Sequence, residues 1–406
     1  MSKIARIPGT PLRDLTSQKR TRGGRERILH LMTQQYKLQI SSGTWFAAPG
    51  GGRFHDRYVP PMALEQTLEM YGKIEGLNGL ASHYDGEFTR AKLPLFRSHA
   101  EKTGQHLRGI PLSHFFDKIF EWGAADNPYW RVRDIALDMT VEALKIAEEL
   151  QKETGDEVLV ISWPGMSGFL QPFGFNFHRA LGKYEEVMAK AMDTVPGVRV
   201  AIEPKPNEPA NTNILRSTAS AIIAARNIEK RMQNPKNVNL LNDGHALVGL
   251  NPEYGHVIMG GESWAAELAN IARDGRLFLT HWNSQEDGRF DQDLNVGITR
   301  LGDVFSGLLI LREFAPMVWC EIDINPEHQP ADNAIRRSIQ VLRLANERLN
   351  SVLQNGDYAT LLVKGDEDPY NYRANLDHFY TLLVMGAQDH FTQLDDTELK
   401  VPPSNI

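Results

Sequence analysis

The stretch 199-RVAIEPKPNEP-209 places a short apolar run directly before two glutamates and a lysine. Proline fixes its own φ, lacks a backbone N–H and restricts the residue before it, so three prolines here oppose both a continued strand and a helix. We therefore expect a strand that ends at this point, with Glu203 and Lys205 fixed in a stiff loop after it.

The same arrangement recurs along the chain, because short β-rich runs alternate with longer segments that are apolar at helical spacing, such as 136–153 and 262–275. Eight alternations predict an α/β fold of the parallel (β/α)8 TIM-barrel type rather than a doubly wound open sheet. The eight runs are 37–45, 77–85, 106–115, 157–163, 199–205, 246–253, 276–282 and 318–324.

Three regions follow from this pattern. Residues 1–36 are polar and basic and are expected to form an N-terminal arm. Residues 37–330 would form the barrel and carry the active site. Residues 331–406 are expected to be a C-terminal extension with one helix, over 333–354, and an extended tail rich in Asp, Asn and Pro.

Composition limits the class of protein. The 406 residues carry a net charge of -7, which gives no general attraction to nucleic acid or to an anionic membrane. Cys320 is the one cysteine, so an internal disulfide is impossible and a reducing cytoplasm is favoured. The first residues lack the apolar core of a secretory signal, and no apolar run reaches the ~18 residues of a membrane span. We expect a cytoplasmic protein with no nucleic-acid or membrane partner.

Reactive side chains follow the apolar runs, and in a parallel barrel these ends meet on one face. Five carboxylates and two imidazoles brought together there would repel or destabilise one another unless divalent cations lay between them. Oxygen-rich sites with one imidazole per ion favour Mg²⁺, Mn²⁺ or Co²⁺ over structural Zn²⁺. The candidate metal ligands are Glu203, Glu253, His256, His281, Asp291, Asp293 and Asp323.

Three motifs stand out, 203-EPKPNEP-209, 251-NPEYGHVIMGG-261 and 288-GRFDQDLNVG-297. They resemble those of the xylose isomerases, which are two-metal aldose–ketose isomerases on a (β/α)8 barrel. The resemblance extends from about residue 37 to about residue 330. It implies two divalent metal ions per chain, a sugar as the small-molecule substrate, and a homotetramer or homodimer.

The resemblance also assigns metal ligands. Glu203, Glu253 and Asp323 would hold a structural metal, and Glu253 would bridge to a catalytic metal that is also bound by His256, Asp291 and Asp293. The family has an aspartate as the fourth structural ligand, whereas this chain has His281, which is similar to the L-rhamnose isomerases. This replacement removes one negative charge and should favour Mn²⁺ or Co²⁺.

Further roles follow from the same resemblance. Lys205 would hydrogen-bond the carbonyl oxygen at substrate C1, and His256 would also contact the sugar. The walls Trp45, Phe115 and Trp163 would exclude water and favour hydride transfer over proton loss. The expected catalytic residues are His83, Lys205 and Asp291.

His83 would assist ring opening, although the family's orienting aspartate, three residues after the histidine, is a glycine in 83-HYDG-86. The stretch 54-FHDRY-58 is more similar to the family's F-H-D sequence motif, so His55 is an alternative residue for ring opening. Strand order favours His83, because His55 follows the first strand rather than the second.

The sequence thus predicts an aldose–ketose isomerase that acts by a metal-assisted 1,2-hydride shift. An isomerase of L-rhamnose or another rare sugar is the alternative within the same chemistry. A sugar epimerase would leave 290-FDQDL-294 unexplained. A barrel phosphodiesterase acting on damaged DNA would require a basic groove, which the net acidic charge disfavours. A sugar-binding module without catalysis would have no need of Lys205 beside two metals. The sequence does not identify the sugar.

Overall fold

The computed structural model describes residues 22–47, 60–164, 175–210, 212–326, 329–386 and 391–392. In these ranges the strands are β1 Ile40–Gly43, β2 Gly79–Ala81, β3 His106–Pro111, β4 Leu159–Ser162, β5 Val200–Ile202, β6 Val248–Leu250, β7 Leu279–Trp282 and β8 Trp319–Ile322. The helices are α1 Arg22–Thr33, α2 Leu64–Tyr71, α3 Leu93–Thr103, α4 Trp130–Thr154, α5 Phe175–Thr194, α6 Thr218–Arg231, α7 Pro235–Asn242, α8 Tyr254–Met259, α9 Trp264–Arg273, α10 Leu301–Phe314, α11 Ala331–Leu353, α12 Gly356–Lys364 and α13 Pro369–Met385.

The strands form one parallel sheet in the order β6-β5-β4-β3-β2-β1-β8-β7. Two isolated parallel bridges, Leu250 with Leu277 and Glu253 with His281, join the two ends of this sheet. The sheet is therefore a nearly closed barrel with helices between its strands, and the predicted (β/α)8 fold is confirmed. Each of the eight apolar runs contains one strand.

The strands are short and almost wholly buried, as is usual for a parallel sheet that is covered by helices on its outer face. Val160, Val200 and Val248 are each fully inaccessible to solvent. Space inside the barrel is limited, since a Cβ atom on Gly249 would lie 2.3 Å from the ring of Phe278. The close packing holds the strand ends in fixed relative positions.

The C-terminal extension is more helical than the sequence predicts. The predicted helix is observed as α11, but the following segment, expected to be an extended tail, contains α12 and α13. Asn355 and Asp368 cap these helices by accepting hydrogen bonds from the backbone N–H groups of Asp357 and Asn371. The prediction of an irregular chain over 356–385 was wrong, because it rested on the polar composition and did not take these capping residues into account.

The N-terminal region is described from residue 22, where α1 packs against α12 and α10. None of the helices in the described part of the chain is long and apolar enough to cross a membrane.

Candidate metal centre

A cavity of about 390 Å³ opens at the carboxyl ends of the barrel strands. All the site residues predicted from the sequence, apart from the alternative His55, line it. They are Trp45, His83, Phe115, Trp163, Glu203, Lys205, Glu253, His256, His281, Asp291, Asp293 and Asp323. His55 lies outside the described residues.

One group of possible metal ligands comes from four consecutive strands. Glu203, Glu253, His281 and Asp323 follow or end β5, β6, β7 and β8, and each offers one ligand atom within 4.8 Å of the others. Nδ1 of His281 lies 3.0 Å from Oδ2 of Asp323 and 3.4 Å from Oε2 of Glu203. This is the composition expected for the structural metal site, with the imidazole in the aspartate's place.

A second group shares Glu253 with the first and adds His256 and Asp291, again with ligand atoms within 4.8 Å. Nε2 of His256 lies 3.2 Å from Oε2 of Glu253 and 3.2 Å from Oδ2 of Asp291. Asp293 lines the cavity but is not part of either group. Its Oδ1 accepts a hydrogen bond of 3.0 Å from Asn283, and its role as a ligand stays a prediction.

The electrostatics of these groups favour a cation. Burial, together with repulsion from Asp291, Asp323, Asp293 and Glu203, raises the pKa of Glu253 well above its ordinary value. Burial lowers the pKa of His281, but the carboxylates, Glu203 first, raise it by more, so the net shift is well upward. Nδ1 of His256 is buried and has no hydrogen-bond partner among the described residues. Oxygen-rich donors together with imidazole nitrogens therefore fit divalent metal ions.

Lys205 lies beside the second ligand group. Its Nζ is 2.7 Å from Oδ2 of Asp291 and 3.3 Å from Oε2 of Glu208, and it lies 5.3 Å from the centre of the Trp163 ring. Glu208 also accepts a hydrogen bond of 3.1 Å from the backbone N–H of Asp291. The second glutamate of the EPKPNEP motif thus ties the lysine loop to the aspartate loop, a role that the sequence did not assign.

Aromatic side chains form the opposite wall, on the side of β1 to β4. The rings of Trp45 and His83 lie 4.5 Å apart, and those of Phe115 and Trp163 lie 4.8 Å apart. Trp45 also donates a hydrogen bond of 3.1 Å from Nε1 to Oδ1 of Asp323. The cavity therefore has one aromatic wall and one charged wall, which suits a solute with apolar C–H faces and many hydroxyl groups.

Comparison with known proteins tests the resemblance to the xylose isomerases. The chain is 30% identical over 269 residues to a xylose isomerase of Thermus thermophilus, an alignment that covers 63% of this chain and 63% of that protein. The resemblance to the xylose isomerases is confirmed. The chain thus spans less than two-thirds of that relative's length, and no protein-family model matches the chain.

Two solved structures share the fold of this xylose isomerase-like barrel. A 3-keto-D-glucoside 4-epimerase from E. coli, 16% identical, has a TM-score of 0.52 and covers 76% of this chain and 99% of its own. A D-tagatose 3-epimerase-like protein, 14% identical, has a TM-score of 0.55 and covers 78% of this chain and 100% of its own. At these identities the likeness concerns the fold alone.

The cavity contains a partner for His83 that the sequence did not reveal. Oε2 of Glu87 lies 2.9 Å from Nδ1 of His83 and accepts a hydrogen bond of 2.8 Å from its backbone N–H. Asp85 does not line the cavity. The resemblance led us to expect an aspartate three residues after the histidine, and the structure instead places a glutamate four residues after it in contact with the ring.

Asn283 is a second residue that sequence reasoning missed. Its Nδ2 donates to Oε1 of Glu253 at 2.8 Å and to Oδ1 of Asp293 at 3.0 Å, and its Oδ1 accepts from the backbone N–H of Gly255 at 2.9 Å. The position two residues after His281, on the same side of an extended chain, was the available signal. Asn283 links the sixth-strand motif to the aspartate loop.

The His83–Glu87 pair makes a stability prediction. Burial lowers the pKa of His83, but the nearby carboxylates, Glu87 first and then Asp323 and Glu203, together raise it by more. Burial raises the pKa of Glu87, but the interactions with His83 and backbone hydrogen bonds together lower it by more. In the folded protein the pKa of His83 is raised and that of Glu87 is lowered. The ion pair therefore stabilises the fold fully between about pH 4.3 and about pH 6.5, the pKa values of Glu and His in the unfolded chain. The stabilisation is lost as pH rises through the raised pKa of His83.

Glu87→Gln is therefore expected to lower the free energy of unfolding of the metal-free protein by about 1–3 kcal/mol near pH 6, and by progressively less at higher pH. Urea unfolding between pH 5.5 and pH 9 measures this difference. Glu69→Gln, which breaks the exposed pair of Glu69 with Lys73, is the control and should show no such trend. A difference for Glu87→Gln that is equal at all pH values would show that the pair is not charged.

Proposed function

We propose that the protein is an aldose–ketose sugar isomerase that acts by a metal-assisted 1,2-hydride shift. The observation that carries this proposal is the pair of ligand groups sharing Glu253, with Lys205 beside them, in one cavity at the barrel mouth. The 30% identity to a xylose isomerase supports the same chemistry.

Glu203, Glu253, His281 and Asp323 would hold one divalent ion, and Glu253, His256, Asp291 and Asp293 the other. Bound there, divalent ions would polarise substrate oxygens as Lewis acids. Mn²⁺, Co²⁺ and Mg²⁺ are the candidates, since the donors are mainly oxygens.

The chain's own residues would then orient the sugar. Lys205 is held at 2.7 Å by Asp291 and is aimed into the cavity, where it would donate a hydrogen bond to the oxygen on C1. His83, with Nδ1 bonded to Glu87, has Nε2 available to assist ring opening. The aromatic wall would exclude water and so favour transfer of hydrogen with its electrons over loss as a proton.

The experiment that tests this function is a panel of aldoses, L-rhamnose included, incubated with protein that was stripped of metal and reloaded with Mn²⁺, Co²⁺ or Mg²⁺. We expect at least one aldose to give its ketose, with no conversion by the stripped protein. An epimerase would instead give a product inverted at one carbon with its carbonyl in place. Inversion without ketose formation, or no reaction with any sugar in the panel, would contradict the proposal.

We also propose that the protein acts in the cytoplasm as a homodimer or homotetramer, without nucleic-acid or membrane partners. The single cysteine supports a reducing compartment such as the cytoplasm. The acidic net charge disfavours nucleic acid and anionic membranes as partners. The division into an arm at 1–36, a catalytic barrel at 37–330 and an extension at 331–406 belongs to the same proposal. Light scattering of the purified protein would measure the oligomeric state.

A further inference from the structure

Glu321 is a fully buried carboxylate inside the barrel that the proposed mechanism does not use. It lies on β8, where it is paired in register with Ser41 on β1 and with His281 on β7. Its Oε2 accepts a hydrogen bond of 2.7 Å from the hydroxyl of Ser41. Its Oε1 lies 3.0 Å from Nε2 of His281.

Glu321 does not itself reach the metal centre. It precedes Asp323 by two residues on the same side of the strand, so it lies one layer deeper in the barrel. It is not among the residues that line the cavity, and it does not belong to either ligand group. Its contact with the centre passes through the His281 ring.

We propose that Glu321 is a positioning residue that makes His281 a metal ligand through Nδ1, an inference that rests on the proposed metal-dependent function. A neutral imidazole has one nitrogen that donates and one that accepts, and the partner of the donor decides which is which. In the neutral ring that would bind a metal, the Glu321 carboxylate would accept from Nε2–H, which leaves the lone pair on Nδ1, the atom that lies beside Asp323 and Glu203.

The contact also changes the charge balance of the centre. Relative to the family's aspartate, His281 removes one negative charge from the ligand shell, but Glu321 places a carboxylate directly behind the imidazole. Hydrogen bonding to a carboxylate makes an imidazole a better metal ligand. The negative charge is thus kept next to the centre, behind the imidazole, rather than lost.

Two variants test the inference, and calorimetric titration of the metal-free protein with Co²⁺ provides the measurement. Glu321→Leu removes the acceptor and should weaken one of the two ions by about 10–100-fold and leave the other nearly unchanged. Glu321→Gln keeps an acceptor oxygen but loses the charge, so it should weaken the same ion by less. Glu185→Gln, a buried carboxylate on α5 bonded to Arg231 and Asn227, is the matched control and should bind both ions normally.

A spectroscopic readout separates positioning from general destabilisation. In Zn²⁺-loaded protein labelled with ¹⁵N-histidine, His281 should give an Nε2–H signal that is protected from solvent exchange, assigned by its absence in His281→Asn. Glu321→Gln should keep this signal, and Glu321→Leu should lose it.

Wild-type affinity at both sites in the Glu321 variants, or equal loss at both sites, would overturn the inference. If Glu321→Leu does not fold, an unchanged affinity in Glu321→Gln overturns it alone. A wild-type protein that binds no divalent ion would instead contradict the proposed function, so the two failures are distinguishable.

Discussion

Lys205→Met should reduce turnover by about 10²–10³-fold and leave both metal ions bound. The lysine is the cation that the cavity places beside Asp291 and Glu208, where it would stabilise charge that develops on the C1 oxygen. Methionine has nearly the same length and keeps the packing against Trp163. Loss of a positive charge beside Asp291 should, if anything, strengthen metal binding. The measurements are kcat with the best aldose of the panel and metal content per chain.

The control for this variant is Lys73→Met, which removes an exposed lysine from a surface pair. It should have wild-type turnover. Near-normal isomerisation by Lys205→Met would show that the lysine has a structural role. Loss of metal along with activity would mean that Lys205 maintains the ligand groups rather than acting on the substrate.

Glu253→Gln should release both ions together and abolish activity, because Glu253 is the residue that the two ligand groups share. Removal of the carboxylate that the two groups share would take one charged ligand from each ion. In the metal-free protein the variant should raise the stability of the fold, since it removes one of several buried carboxylates that repel one another. The metal-free variant should therefore melt at a higher temperature than the metal-free wild type.

Metal analysis after reloading measures the first effect, with close to two ions per chain expected for the wild type. Asp293→Asn is the comparison, because it should affect at most the ion held by Asp291. A Glu253→Gln protein that retains one ion with wild-type affinity would show that the two groups are independent sites. One tight ion in the wild type, unaffected by Asp293→Asn, would contradict the two-metal arrangement.

The fold could be predicted from the sequence because parallel strands are short, apolar and regularly separated by amphipathic helices. Strand ends in such a barrel converge on one face, so the candidate ligands that end or follow strands, such as Glu203 and Asp323, could be predicted to lie close together. The helices α12 and α13 were missed because the segment that contains them is rich in Asp and Asn and only a few of its apolar positions, such as Tyr358 and Phe379, are buried.

The partners of the site residues were harder to predict. Glu87 reaches His83 across a turn whose conformation the sequence does not specify. Glu321 meets His281 because β7 and β8 pair in a particular register, and a charged residue in a strand gives no sign of which neighbour it will face. Hydrogen-bond partners from distant parts of the chain depend on the closed barrel, so local patterns did not reveal them.

Transfer of deuterium from C2 of the substrate tests the proposed reaction most directly. The best aldose of the panel, labelled with deuterium at C2, is incubated in ordinary water with the Mn²⁺-loaded protein, and the ketose is analysed by mass spectrometry and NMR. A hydride shift predicts a ketose that retains the deuterium at C1. A ketose in which the deuterium has been replaced from water, or no ketose at all, would contradict the account.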